Sequence, residues 1–263
     1  LRSTVIDLVI CMPGNADNDA FDVARDIKGK FPNIHCVVLT PFSHGITKRM
    51  QNEDLSIFDY VFCWLGNTNL ILSIIKLIED KMNLEHDIQE AGVQMILLVE
   101  DSIRFYSSIL PNLYNYILEQ SKNFSKEALN RHAATMRMRG RPKVVLARTY
   151  EEAKKLYDKY SNNTLGVISD ARFPLKSAAR AFGNEVDEDV KTEYGTDTFG
   201  REKCPDAGLQ LFRYIRKHDS FVPLILESSE SDNRAKAEAE GFRFVDKNSK
   251  KMSVDLRRLM EEH

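Results

Sequence analysis

Five polar positions of this chain stand at the ends of apolar runs, and their types suit one chemistry. Glu100 and Asp101 close the run Met95–Val99, Asp170 closes Leu165–Ser169, Ser228 follows Leu224–Leu226, and Lys247 follows Phe242–Val245. In an open parallel sheet, residues at the carboxyl ends of strands converge on the crevice where the strand order reverses. An acid pair, a lone aspartate, a hydroxyl and an ammonium would then share one pocket. Three carboxylates packed together repel one another and raise the pKa of at least one. A divalent cation relieves that repulsion, and Mg2+ prefers a few carboxylates plus retained waters. Taken singly, an acid pair at a strand end is usually a solvated loop and a lysine near a helix start is usually surface. The ordered set is what points to a site.

The elements that must position these residues follow from hydrophobic period. Short runs rich in Val, Ile and Leu read as buried strands at Ile6–Cys11, His35–Leu39, Tyr60–Cys63, Met95–Val99, Val144–Ala147, Leu165–Ser169, Leu224–Leu226 and Phe242–Val245. Between them the 3.6-residue period predicts helices at Asp19–Lys30, Asn67–Met82, Ile103–Leu118, Tyr150–Tyr160, Ala207–Lys217, Asn233–Glu240 and Met252–Glu261. Strands alternating with helices predict an α/β fold, a doubly wound parallel sheet covered on both faces.

The pattern repeats. Asp7–Pro13 parallels Leu165–Asp170 with Pro174, His35–Thr40 parallels Pro223–Ser228, and Phe58–Cys63 parallels Phe242–Lys247. The expected organisation is a partial copy over 1–83, a helical linker over 84–93 ending near Gly92, and a complete copy over 94–263. The second copy carries a polar insertion at about 175–206, 32 residues between Pro174 and Ala207. Loops of that length are commonly lids or binding loops, or are disordered.

The chain has 263 residues, 43% hydrophobic and 29% charged, which suits two globular units with real cores. Its net charge is −2, so nucleic acid is not an expected partner. The charge is unevenly split: residues 1–90 hold 8 basic and 13 acidic side chains, and the remainder 29 and 26. No apolar run approaches the ~18–20 residues that span a bilayer, so no membrane role is expected. Cys11, Cys36, Cys63 and Cys204 lack metal or redox spacing and read as reduced thiols of a cytoplasmic protein. The chain opens Leu1-Arg2-Ser3-Thr4 without a leader pattern or an initiator Met, and reads as a piece of something longer.

Residues 94–263 resemble the receiver domains of two-component response regulators. The resemblance rests on Leu97–Ser102, Val167–Asp170 with Pro174, Ala207-Gly208-Leu209, Leu226–Ser229 and Val245-Asp246-Lys247, five motifs in order. It implies the flavodoxin-like strand order 2-1-3-4-5, with one partial and one complete copy in this chain. It implies Asp170 as phosphoacceptor, and Mg2+ held by Asp101, Asp170 and the main-chain carbonyl of Arg172, with Glu100 acting through water. Lys247 would neutralise the transferring oxygens, and Ser228 would hydrogen-bond the attached phosphoryl group. Phe244 matches the family's aromatic switch residue.

The implied function is two-component signal transduction rather than enzymatic turnover. The partners would be a histidine kinase or a phosphotransfer protein. In the first copy Met12 takes the phosphoacceptor position and Cys63 the lysine position, while Thr40 and Tyr60 keep the hydroxyl and the aromatic. That copy is expected to be a silent scaffold, and its strand Ile6–Cys11, lacking two preceding strands, is expected to drive homo-oligomerisation through 1–83. Two other readings stand beside this one. One is a non-phosphorylated module attached to a phosphoenolpyruvate-synthase-like enzyme. The other is a haloacid-dehalogenase-like phosphohydrolase, which wants an Asp where Arg172 stands. A basic stretch, Arg131, His132, Arg137, Arg139, Arg141 and Lys143, reads as a solvated face or a surface for an acidic partner.

Overall fold

A computed structural model describes residues 6–13, 20–41, 55–176, 197, 201–249 and 251–261. Two parallel sheets organise them. The first holds β1 (Leu8–Cys11), β2 (His35–Pro41) and β3 (Tyr60–Trp64) in that order, with α1 (Ala20–Lys30) between β1 and β2. The second holds β4 (Met95–Val99), β5 (Lys143–Ala147), β6 (Thr164–Asp170), β9 (Leu224–Ser228) and β10 (Arg243–Asp246). Their spatial order is β5-β4-β6-β9-β10, all parallel, which is the 2-1-3-4-5 order of a doubly wound sheet. Two further strands, β7 (Phe173–Pro174) and β8 (Lys203–Cys204), pair antiparallel.

The second sheet is buried on both faces, because successive side chains of each strand point opposite ways. Ile96, Leu98, Val144, Leu146, Ile168, Ile225 and Val245 face α3 (Ile103–Lys126) and α8 (Met252–Glu261). Leu97, Val99, Ala147, Val167, Leu224 and Leu226 face α5 (Tyr150–Tyr160), α6 (Ala207–His218) and α7 (Asp232–Ala239). Each aliphatic side chain so buried contributes about 1.5–3 kcal/mol.

Helix α2 (Asn69–Ala91) runs unbroken through the stretch expected as a linker. It stops at Gly92, whose φ of 61° suits a residue without Cβ. The amide of Gly92 donates to Ile88 and that of Val93 to Asp87, which satisfies two late helix carbonyls. Helix α3 lies against both sheets and buries Tyr106, Ile109, Leu110, Leu113 and Tyr114. The Tyr106 hydroxyl donates to the Val61 carbonyl, and the Cys63 amide donates to Ser107 Oγ at 2.9 Å. The outer edge of β3 is thereby closed by side chains of α3, and one apolar cluster runs through both units.

The basic stretch is corrected by the fold. Arg131 and His132, on α4 (Arg131–Arg139), are exposed as expected, but Arg141 and Lys143 are buried. Arg141 grips the buried carboxylate of Asp80 on α2 with two hydrogen bonds of 2.7 and 3.1 Å, and Lys143 lies 2.6 Å from Asp87. These two cations tie α2 to the strand β5 and present no solvated face. Most of the insertion lies outside the described residues. Its ends are held by the β7–β8 pairing, and near them Arg201 Nε donates to Asp197 at 2.8 Å. Among the described residues β1 pairs with β2 alone, and Leu8, Val9 and Ile10 are half-buried. The four cysteines are unbridged; Cys11, Cys36 and Cys63 are buried. No helix of the described residues is long and apolar enough to cross a membrane.

Candidate functional site

Four strands of the second sheet deliver polar side chains to one end of it. Glu100 and Asp101 follow β4 directly, Asp170 ends β6, Ser228 ends β9, and Lys247 follows β10. The register sets Asp170 beside Glu227 and Asp246 beside Ser228. One oxygen from each of Glu100, Asp101 and Asp170 lies within 4.8 Å of the others. Lys247 Nζ sits 2.8 Å from Asp170 Oδ1 and pairs with Glu100 Oε2, with the Phe105 ring centroid 4.4 Å away. Asp170 Oδ1 also accepts the Ala171 amide at 2.8 Å.

Close packing behind Asp170 explains a glycine. Gly208 lies in the first turn of α6, and its amide donates to the Ala171 carbonyl at 3.1 Å. A Cβ at Gly208 would lie 2.2 Å from the Asp170 carbonyl oxygen, far inside van der Waals contact. Only glycine lets the helix meet the strand end at that distance.

The site is electrostatically loaded. Burial pushes the Glu100 carboxyl well up; Lys247 opposes that shift, while Asp170 and Asp101 add to it. Burial also raises Asp101, against the pull of Lys203, and Asp170 raises it further. Glu227 is pushed up to about 7 by burial, with Lys247 opposing and Asp170 adding. Burial works against the Lys247 charge, but Asp170, Glu100 and Glu227 outweigh it and hold the ammonium well above the ordinary lysine value. Carboxyl groups are thus crowded where solvent cannot screen them, and burial and mutual repulsion favour their protonated forms.

The donor set fits a hard divalent cation. All three convergent side chains offer oxygen, as Mg2+ requires. Asp101 is fully buried; Lys203 Nζ stands 2.6 Å from Oδ2, while Oδ1 has no hydrogen bond, which is costly unless something else completes it. Both Glu100 oxygens are engaged, Oε1 by the Ser102 amide at 3.0 Å and Oε2 by Lys247.

The remaining expected residues take varied places. Ser228 Oγ accepts from the Glu230 amide at 3.1 Å and from Asn233 Nδ2 at 2.9 Å. Phe244 is half-buried on the α7 side, with the Arg234 guanidinium 4.7 Å from its ring. Arg172 lies just beyond β6, and its side chain pairs with Glu230. In the first sheet Met12 is exposed just past β1, Thr40 is buried near the end of β2 and donates to the Pro41 carbonyl, and Cys63 is buried in β3. Tyr60, at the start of β3, is raised to about 12 by burial, with Arg148 opposing.

Two site residues escape the sequence reading. Glu227 is a carboxylate between the apolar run Leu224–Leu226 and Ser228, within a strand buried at every position, and that polar residue in a buried strand was the available signal. Lys203 approaches Asp101 Oδ2 to 2.6 Å from the far end of the insertion, and nothing in its local sequence announces that.

No family model and no curated protein matches the chain. Among solved structures, the crystal structure of a response regulator receiver domain protein from Clostridium thermocellum is similar at 17% identity. The alignment covers 65% of this chain and 93% of that one, with a TM-score of 0.37. A likeness that distant decides nothing about this site, which is read from its own geometry.

Proposed function

We propose that residues 94–263 act as a phosphoacceptor receiver, with Asp170 taking a phosphoryl group from a histidine kinase or a phosphotransfer protein. The observation that carries this reading is the convergence of Glu100, Asp101, Asp170, Ser228 and Lys247 at one end of a sheet ordered 2-1-3-4-5. In the transfer, an Asp170 carboxylate oxygen attacks phosphorus as a covalent nucleophile. The P–N bond of the donor's phosphohistidine breaks, and its electron pair returns to the imidazole. Lys247, already 2.8 Å from Asp170, neutralises charge on the transferring oxygens without reorganising. Ser228 Oγ, held by Glu230 and Asn233, keeps its own proton to donate to the attached group. Mg2+, held by Asp101 and Asp170 with Glu100 through water and the Arg172 carbonyl, would supply charge neutralisation. Phe244 is the switch that reports the event to a protein-binding surface.

On this reading the protein is a cytoplasmic regulator and not a turnover enzyme. The first unit is silent, because Met12 offers no anion, and it serves as scaffold and self-association surface. The test is intact-mass analysis after incubation with Mg2+ and acetyl phosphate. One phosphoryl adduct per chain is expected on the wild type and none on Asp170→Asn. An adduct of equal stoichiometry on that variant refutes the assignment, and rapid turnover of phosphate esters without an adduct would make the protein a hydrolase.

A further inference from the structure

Lys203 belongs to none of the elements that build the second sheet. It sits on β8, fixed by antiparallel pairing of Pro174 with Lys203 and of Phe173 with Cys204. From there its ammonium comes to 2.6 Å from Oδ2 of the fully buried Asp101. Lys203 is thus the ion-pair partner of Asp101 Oδ2, and its charge and hydrogen bond pull against the effect of burial on that carboxyl. Lys247 is engaged elsewhere, on Glu100 and Asp170. The two ammonium groups therefore divide the acid cluster between them. Four carboxylates (Glu100, Asp101, Asp170, Glu227) against two ammonium groups (Lys203, Lys247) leave two negative charges when all are ionised, the charge of one divalent cation.

A cation seated among Glu100, Asp101 and Asp170 needs the carboxylate that Lys203 holds. An ammonium and a dication a few ångströms apart repel strongly at a site so poorly screened. We propose that Lys203 competes with the divalent cation for Asp101, so that this lysine sets the cation affinity of the site. The inference rests on the metal-binding reading given above. A flexible four-carbon stem lets the ammonium withdraw while β8 stays paired, and the side chain keeps 20% of its surface in solvent, which gives it somewhere to go. Without the cation, Lys203 compensates Asp101. With the cation bound, the ammonium yields that oxygen to it. The site then binds more weakly than the same carboxylates would without the lysine.

The experiment is a titration of Mg2+ by calorimetry, and of Mn2+ by electron paramagnetic resonance, into the wild type, Lys203→Met, Lys203→Arg and Asp101→Asn. Circular dichroism checks that each variant is folded. Lys203→Met should bind both cations about tenfold more tightly or better, since site charge governs affinity for hard cations. Lys203→Arg should stay near the wild type, and Asp101→Asn should lose binding. Lys203→Met binding no more tightly than the wild type overturns the competition and leaves the metal site standing. Lys203→Arg binding as tightly as Lys203→Met also overturns it, because charge is then not the cause. If neither the wild type nor Lys203→Met binds either cation, the metal reading falls and this inference with it. Should Lys203→Met fail to fold, the Lys203 side-chain resonances of the wild type decide. They should move on Mg2+ titration, and resonances unmoved at saturation overturn the proposal.

Discussion

Asp80→Asn should unfasten the joint between α2 and the second sheet. The Asp80 carboxylate is fully buried and accepts from Arg141 at 2.7 and 3.1 Å, from the Tyr114 hydroxyl at 2.9 Å and from the Val144 amide at 2.9 Å. The amide keeps the volume and loses the charge. Arg141, itself buried, is then left with Glu79 at 3.9 Å, a half-exposed residue that compensates weakly. Breaking a buried ion pair by removing one partner costs about 3–5 kcal/mol. In a chain of this size each kcal/mol moves Tm by about 2–4 °C, so a fall of about 10 °C is expected. Urea denaturation followed by circular dichroism gives the free energy, and calorimetry gives the shift. The pair Asp80→Leu with Arg141→Met should recover part of the loss, because no buried charge then lacks a partner. Recovery stays partial, since the Tyr114 hydroxyl and the Val144 amide still lack an acceptor, at about 1–3 kcal/mol. A loss under about 1 kcal/mol for Asp80→Asn would refute the idea that this buried pair holds the units together.

Gly208→Ala forces a Cβ to 2.2 Å from the Asp170 carbonyl oxygen and 2.8 Å from Leu226 Cδ1, so β6 and α6 must separate. Overpacking of this kind costs about 1–3 kcal/mol, and the displaced Asp170 should acquire the phosphoryl group more slowly; unchanged stability and unchanged adduct kinetics would refute the packing account. Asp59 carries the acid sensitivity of the first unit. Burial disfavours its charge, but His35, Lys28, Lys81 and the Cys36 amide outweigh that and hold the carboxyl well below the usual range. Its folded pKa lies below its unfolded value of about 3.9, so its stabilisation is present above that pH and is lost as pH falls toward the folded value. Asp59→Asn should cost about 2 kcal/mol at pH 7, and the gap to the wild type should close below pH ~4. A gap that is constant with pH in urea titrations would show that the carboxylate charge is not the cause.

Much of this protein is written locally in its sequence. The runs Met95–Val99 and Val144–Ala147 are buried at every position, and their length and β-branched content mark strands covered on both sides without any tertiary knowledge. Where such a run ends, the next polar side chain stands at the strand's carboxyl end, and this is why Glu100, Asp101, Asp170, Ser228 and Lys247 could be expected at one end of the sheet. The alternation of strand with helix fixed the parallel sheet, because a parallel pair needs a crossover. Other features were decided only when distant segments met. Arg141 and Lys143 look like the solvated members of a basic stretch until α2 brings Asp80 and Asp87 against them. Lys203 reads as an ordinary polar residue until the pairing of β8 with β7 sets its ammonium on Asp101. The continuation of α2 past Met82 to Gly92 was legible in the sequence, but that Leu84 and Ile88 pack with Met95 and Val145 of the second sheet was not. Period along one element reports which face is buried. It does not report what lies against that face, and the charge of a buried partner is a property of the fold alone.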